Sequence, residues 1–253
     1  MTDSIMYNKK IRWAWVLIFW LLIWEGAYLA VGKELIAPPP ASTALSFFRM
    51  LREPPFYFSV GMSLLRIVSG YAAGVLSGAL LAVLTFRVKA ARHLLSPALD
   101  IIKATPVASF IIITLVWLQS GQVPVFTSMI MVLPIVWSNV SAGIQKVDGK
   151  LLDVAKVFRF KRSKTLKTIY IPSVMPYFRA AATTSMGLAW KAGIAAEVLA
   201  TPKFSIGGLI YSSKIYLETA DLFAQTAGII LLSVLLEKLL VAILGKDGKS
   251  RAH

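Results

Sequence analysis

Hydrophobic residues in this chain form long runs that are separated by short polar segments. Six runs are long enough to cross a bilayer, which takes about 20 apolar residues in a helix. They cover residues 13–31, 59–85, 98–118, 123–143, 173–200 and 221–244. Lipid offers the backbone no hydrogen-bond partners, so each run is predicted to be a helix. The pattern predicts an all-α, polytopic membrane protein with about six transmembrane helices, in which residues 1–253 form a single transmembrane domain.

Two segments between these runs predict short helices. In the 32–58 loop the prolines of APPPAS end the first run, and TALSFFRML follows with a helical composition. A second short helix is predicted at 206–218. The first run is predicted to be retained as a span, because it is longer and richer in tryptophan than a secretory signal.

Composition and charge agree with a membrane protein. The chain is 57% hydrophobic and 15% charged, whereas about a quarter of the residues in soluble proteins are charged. Basic residues collect in cytoplasmic loops, and an N-terminus placed in the cytoplasm puts seventeen of them inside and five outside. Both termini are therefore predicted to be cytoplasmic. The net charge of +15 then reflects topology and proximity to membrane lipid, and no nucleic-acid partner is predicted. The inside set comprises Lys9, Lys10, Arg12, Arg87, Lys89, Arg92, the basic residues from Lys146 to Lys167, Lys246, Lys249 and Arg251.

Motifs for catalysis and metal binding are missing from the sequence. It contains no cysteine and two histidines, too few for a thiolate or histidine metal site. It contains no GxxxxGK[ST] motif for ATP, no HExxH and no GxSxG. We therefore predict no catalytic residue, no metal site and no enzyme activity in this chain.

The segment between the fourth and fifth runs, residues 148–172, is here called the basic loop. Leu151, Ala155 and Phe158 follow the i, i+4, i+7 spacing of a helix face. A second short helix is predicted to start at Ser163 as N-cap and to end at Pro172, with RFKR as the turn between the two. Helices this short are not stable alone, which favours a docking surface over an ordinary loop beside lipid headgroups.

The basic loop resembles the EAA loop of permease subunits in bacterial ABC importers. Asp153, Val154 and Ala155 stand at the positions of its Glu-Ala-Ala run, and Ile169, Ile171 and Pro172 match its ending, with Pro176 as a second proline. LIAPPPAS and SLLRIVSGYAAGVLSGALLA are also similar to this family, and GLAWKAGIAAEVLA at 187–200 resembles its nitrate/sulfonate/taurine branch. By this resemblance the residues that couple to the ATPase are Leu152, Asp153, Ala155, Lys156, Phe158, Arg159, Phe160, Ile171 and Pro172.

The resemblance implies the rest of the assembly. It implies a type I ABC importer fold in a bacterial cytoplasmic membrane, with a second permease subunit, identical or homologous. Two ATP-binding subunits would carry ATP and Mg, so this chain would bind no cofactor. An extracytoplasmic binding protein would deliver the substrate.

Two positions depart from the family pattern. Asp153 is shorter than the family glutamate, and Arg159 occupies the position of a glycine that permits a positive φ. An arginine with positive φ costs about 1 kcal/mol or more, so the turn either stores this strain or has another shape.

Residues inside the runs suggest a pathway. Arg66, Trp190, Lys191 and Glu197 are candidates for lining it, because ionisable residues in membranes usually face protein or water. Lys191 or Arg66 would favour an anion. The alternative is snorkelling or structural pairing, in which Arg66 would pair with Glu25 or Glu197.

Gly70, Gly74 and Gly78 form one smooth helix face that allows close packing, either within one subunit or across an interface.

Two other function classes remain open. A channel or secondary carrier without ATPase subunits would explain the charges in the runs but not the ordered basic loop. A membrane-embedded enzyme lacks its catalytic groups.

Overall fold

A computed structural model describes residues 9–245 of the chain, and these residues contain helices and no strand. The C-terminal residues Lys246, Lys249, Arg251 and His253 lie outside this range. The helices are α1 Lys9–Val31, α2 Pro40–Met50, α3 Pro54–Arg87, α4 Lys89–Ala104, α5 Val107–Trp117, α6 Val123–Gln145, α7 Gly149–Val157, α8 Arg162–Thr165, α9 Ile171–Ala200, α10 Ile206–Ile215 and α11 Thr219–Gly245. The two short helices predicted between the spans are α2 and α10.

The all-α, multi-pass prediction is confirmed. Within the described residues, α1, α3, α6 and α11 are long and apolar enough to cross a membrane, and the bent pair of α4 and α5 brings the number to five if it is one span. The predicted span 173–200 lies within α9, whose 30 residues extend roughly 45 Å at the helical rise. Its small and charged residues leave it less apolar than the other spans.

The predicted span 98–118 is not one straight helix. Helix α4 ends at Ala104, α5 begins at Val107, and the two are bent by 110°. Pro106 has no N–H to continue the first helix, and the residue before a proline is driven to extended backbone. Thr105 has this conformation, with φ −74° and ψ 128°. The proline therefore breaks the apolar run into two helices.

Two compact units are distinguished by their internal contacts. The first contains residues 9–58 and 209–230. In it, Trp24 donates through Nε1 to the carbonyl of Pro38 at 2.9 Å and packs on the ring of Phe223 at 5.8 Å. Thr219 donates to the carbonyl of Leu35 at 2.7 Å. These contacts hold the segment between α1 and α2 against the start of α11.

The second unit contains residues 59–208 and 231–245, and α6 and α9 form its centre. Val132 and Val136 of α6 and Ala189 of α9 are completely buried. Tyr71 of α3 donates to the carbonyl of Ala182 at 3.0 Å, which satisfies a buried hydroxyl. This packing positions the basic loop, which joins α6 to α9. The prediction of one transmembrane domain for the whole chain stays a prediction.

Candidate functional site: the basic loop and the charged residues of the spans

The basic loop begins with an ordered helix, α7. Its N-cap is Asp148, whose side chain accepts a hydrogen bond from the backbone N–H of Lys150 at 2.8 Å. Such a cap satisfies one of the free amides of the first turn. Asp153 and Lys156 form an ion pair of 2.9 Å on the exposed side of α7.

A sharp turn follows α7 and contains Arg159 with φ +51°. The N–H of Arg159 donates to the carbonyl of Lys156 at 3.0 Å, and the N–H of Phe160 donates to that of Ala155 at 2.8 Å. These two bonds define a Schellman turn, in which glycine is usual at the left-handed position. The structure therefore has a turn with positive φ here, and an arginine occupies the position.

The turn makes a specific prediction for Arg159. Replacing Arg159 by glycine should raise stability by about 1 kcal/mol, because glycine adopts positive φ without steric cost. Thermal unfolding of the purified chain measures this. The control is Arg159→Ala, which removes the charge and keeps the Cβ. If Arg159→Gly and Arg159→Ala stabilised the chain equally, the effect would come from loss of the charge, and backbone strain at Arg159 would be contradicted.

The second predicted helix of the basic loop differs from the structure. Helix α8 begins at Arg162 after Lys161 as N-cap, with no capping side chain, so the prediction of Ser163 as N-cap is wrong. A π-helical turn at Leu166–Tyr170 then continues into α9, so Pro172 does not end a helix. A proline inside a helix lacks one donor and crowds the preceding turn, and the wider π turn accommodates both effects.

Several apolar side chains of α7 and its turn are exposed. Leu151 and Val154 are about half exposed, Phe158 is 70% exposed, and Val157 is 79% exposed. Ala155 is buried, so the face of α7 that carries it is covered. Val157 was missed as a candidate residue, although its i+3 spacing from Val154 was a usable signal. The exposed apolar set is here called the α7 surface and comprises Leu151, Val154, Val157 and Phe158.

The remaining candidates for coupling lie around this surface. Leu152 is half-buried, whereas Asp153, Lys156 and Arg159 are exposed. The ring of Phe160 lies under the Lys164 ammonium at 3.9 Å. Ile171 and Pro172 are exposed at the start of α9.

The candidate pathway residues separate into two places. Arg66 and Glu197 form an ion pair of 3.4 Å, so of the two partners considered for Arg66 the structure has Glu197. Trp190 is buried in the core and Lys191 is exposed on the side of α9. Glu197 and Trp190 are therefore covered by the protein, whereas Lys191 lies on an exposed face of α9.

The carboxylate of Glu197 is completely buried among donors. Its Oε2 accepts from Ser63 Oγ at 2.6 Å and from the backbone N–H of Gly207 at 3.2 Å. Ser63 in turn accepts from the N–H of Ile206 at 3.0 Å. Helix α3, helix α9 and the start of α10 therefore meet at this carboxylate. Ser63 was not a candidate residue, and no motif marks it.

Arg66 extends this network to the loop between α9 and α10. It donates to the carbonyl of Phe204 at 2.9 Å and to that of Lys203 at 2.8 Å. Thr201 and Phe204 both have positive φ in this loop, at 42° and 51°. The guanidinium thus holds a strained loop on α3, which points to a structural role for Arg66.

Gly70, Gly74 and Gly78 lie where α3 meets α6. An added Cβ would stand 2.2 Å from the carbonyl oxygen of Val125 at Gly70, 2.6 Å from that of Met129 at Gly74, and 2.7 Å from that of Leu133 at Gly78. Within this chain only glycine fits at the three positions, because the backbones of α3 and α6 are in contact there.

The described residues define a class of protein: a helical, multi-pass membrane protein with an ordered basic loop between two of its long helices. Comparison with known families then identifies it. Residues 71–246 match the family described as binding-protein-dependent transport system inner membrane component. The chain belongs to this family, and it is a permease subunit of an ABC importer.

Individual relatives agree with this family. The chain is 24% identical over 211 residues to an aliphatic sulfonates transport permease protein of Bacillus subtilis, covering 81% of this chain and 74% of that protein. It is 28% identical to a bicarbonate transport system permease protein of Synechocystis, covering 76% and 72%. It is 27% identical to a nitrate import permease protein of Synechococcus elongatus, covering 71% and 68%. The predicted nitrate/sulfonate branch is confirmed by these names.

The fold is also that of a solved transporter. A chain from a crystal structure of an amino acid ABC transporter superposes with a TM-score of 0.62 at 17% identity, covering 79% of this chain and 96% of that chain. This likeness supports the helical arrangement alone.

Proposed function

We propose that this chain lines half of the pathway of an importer for a small anion and receives ATP-driven movement through the α7 surface. Two copies, or one copy and a homologue, would enclose the pathway, and two ATPase subunits would each dock on one basic loop. The ATPases would hold ATP and Mg, and an extracytoplasmic binding protein would supply the solute. Both termini and the basic loop would be cytoplasmic, in keeping with the distribution of lysine and arginine.

The observation that carries this proposal is the α7 surface. Exposed apolar area of this kind marks a contact with protein or membrane, and a nine-residue helix, which needs packing to be stable, favours protein. Arg159 and Lys161 are exposed beside it, so the partner groove is expected to be apolar with acidic residues at its rim.

A co-purification experiment tests the coupling. The full chain is extracted in mild detergent together with its ATPase, and the amount of ATPase retained is measured for Val157→Asp and Phe158→Asp. Each replacement places a charged side chain that has no partner inside the contact with the ATPase. The amount of ATPase retained should therefore fall at least about tenfold.

Lys89→Asp is the matched control for this experiment. It also places an aspartate at an exposed position and changes the charge by a larger amount, but it lies at the start of α4, outside the basic loop. Retention in this variant should stay near that of the native chain. Full retention in Val157→Asp and Phe158→Asp would contradict docking on α7. Solute flux driven by an ion gradient through the purified chain alone would support the carrier alternative.

The relatives transport aliphatic sulfonates, bicarbonate and nitrate according to their names. All three are small anions, which supports an anion as the solute of this chain. Lys191 is the cation available for it, because it is exposed on α9 and forms no ion pair among the described residues.

Lys191→Ala should therefore reduce uptake several-fold while ATPase co-purification stays normal. Lys191→Arg, which keeps the charge, should retain most of the uptake. Uptake of radiolabelled solute into proteoliposomes measures both, once the solute of the binding protein is known. Unchanged uptake in Lys191→Ala would remove Lys191 from the pathway.

A further inference from the structure

A cavity of about 740 Å³ lies beside the basic loop, entirely within the second unit. The last turns of α3 form one wall, Val140 and Ile144 of α6 form another, and the start of α9 closes the third. The remaining wall belongs to the basic loop itself, from Phe160 to Ile171. The volume falls within the range of about 300–1,000 Å³ that is typical of ligand sites.

The cavity combines apolar walls with cationic residues. Val83, Phe86, Leu166 and Ile171 line it and are all between 43% and 48% exposed, so these walls are open in the single chain. Arg87 and Arg162 line it as well, and no acidic residue does. Neither guanidinium is in an ion pair with a carboxylate of residues 14–243.

This chemistry does not fit the proposed solute. A small hydrated anion could contact Arg87 and Arg162 there, but the rest of its surface would lose water against apolar walls. None of the candidate pathway residues Arg66, Trp190, Lys191 and Glu197 lines the cavity. The cavity is therefore separate from the proposed pathway residues, and it suits an amphiphile with an anionic end.

We propose that the cavity binds an anionic phospholipid, with an acyl chain against the apolar walls and the phosphate between Arg87 and Arg162. The location supports this occupant, because Arg87 ends α3 and Arg162 begins α8. On the orientation given under Proposed function, on which this inference rests, that end of α3 is at the cytoplasmic leaflet. Anionic lipids and juxtamembrane basic residues attract each other there.

A bound lipid would also link the basic loop to α3. Phe160 and Leu166 of the loop and Phe86 of α3 line the same space, so one acyl chain would contact all three. The loop would then be braced from inside the subunit while the α7 surface stays free for its partner. The transmission of ATP-driven movement through the basic loop is thus expected to depend on anionic lipid.

The test measures lipid retention by native mass spectrometry. The purified full chain in detergent is titrated with phosphatidylglycerol or with phosphatidylcholine of the same acyl chains. Phosphatidylglycerol should bind about tenfold more tightly. Arg87→Gln together with Arg162→Gln should abolish this preference, and Ala79→Phe, which fills the cavity, should weaken both lipids. Lys89→Gln is the matched control: it removes a neighbouring exposed charge that does not line the cavity, and it should change nothing.

Four outcomes would overturn the proposal. Equal binding of the two lipids, or a preference that survives in the double arginine variant, would show that the cavity is not the site. Displacement of the lipid by inorganic phosphate alone would make the site one for free phosphate. Lipid retained by monomers but absent from dimers would assign the cavity to a second copy of the chain.

Folding and the proposed function are controlled separately. The arginine variants change exposed side chains, so they remain informative if Ala79→Phe does not fold. The assay needs neither ATPase nor transport, so its failure is distinguishable from failure of ATPase co-purification.

Discussion

Replacing Glu197 by alanine is expected to lower the free energy of unfolding by about 3 kcal/mol, at the lower end of the range for breaking a buried ion pair. The replacement removes the acceptor of three donors at once: Ser63, Arg66 and Gly207. Ser63 and Gly207 then lie in a site from which water is excluded, where an unmade hydrogen bond is costly. Arg66 keeps two carbonyl partners, and this limits the loss.

Thermal unfolding in detergent at a fixed scan rate measures this effect, with a fall of roughly 10 °C expected. Glu197→Gln keeps the volume and one acceptor, so its effect should be smaller. Asp100→Asn provides the matched control, because it breaks an ion pair with Lys103 of similar length, 3.5 Å, that is largely exposed. Exposed pairs contribute about 0–1 kcal/mol. If Glu197→Ala and Asp100→Asn lowered the thermal stability by similar amounts, burial of the Glu197 carboxylate would not increase its contribution to stability.

The network around Glu197 also shows how far sequence reasoning reaches. A pair of Arg66 with Glu197 is one of the two structural alternatives to a pathway role, because both are ionisable residues in apolar runs, where isolated charges are costly. Glu25 was an equally good partner by that criterion. The deciding contacts come from the backbone of the loop between α9 and α10, where carbonyls and amides complete the network. Backbone groups carry no sequence signal, so this part required the structure.

Two of the errors in the predicted helices lie at prolines. The apolar residues on both sides of Pro106 predict one span over 98–118, although the proline itself predicts a break. At Pro172 the opposite occurred: a break was predicted, and the π turn at Leu166–Tyr170 carries the helix through. A π turn depends on local packing and has no recognisable composition. Hydrophobic periodicity alone therefore located the helices without fixing where they bend.

The exposure of Val157 was equally hidden in the sequence. Its apolar side chain is of the kind that normally fills a core, and at 79% exposure it is among the most exposed apolar residues of the chain. Periodicity places it on α7 but does not tell which face the rest of the chain covers. The α7 surface therefore emerged only when burial was known.

The largest effect is expected at Gly70. An alanine there would place its Cβ 2.2 Å from the carbonyl oxygen of Val125 and 2.9 Å from the Cβ of Ser128. Neither is the end of a flexible side chain, so α3 and α6 must move apart along their contact. Forced overpacking of this kind costs about 1–3 kcal/mol, occasionally more, and contact with backbone places Gly70→Ala at or above the upper end. Thermal unfolding and the yield of monodisperse protein measure the loss.

The same helix supplies the controls for Gly70. Gly61 also lies in α3, and a Cβ at that position meets nothing within 4 Å. Gly61→Ala should therefore stabilise the chain by up to about 1 kcal/mol through helix propensity. The series has an internal order as well, because the Cβ distance to the facing carbonyl rises from 2.2 Å at Gly70 to 2.6 Å at Gly74 and 2.7 Å at Gly78. Alanine should cost most at Gly70 and less at the other two. A loss at Gly61 equal to that at Gly70 would contradict close packing of α3 on α6, since only intrinsic helix effects would then be at work.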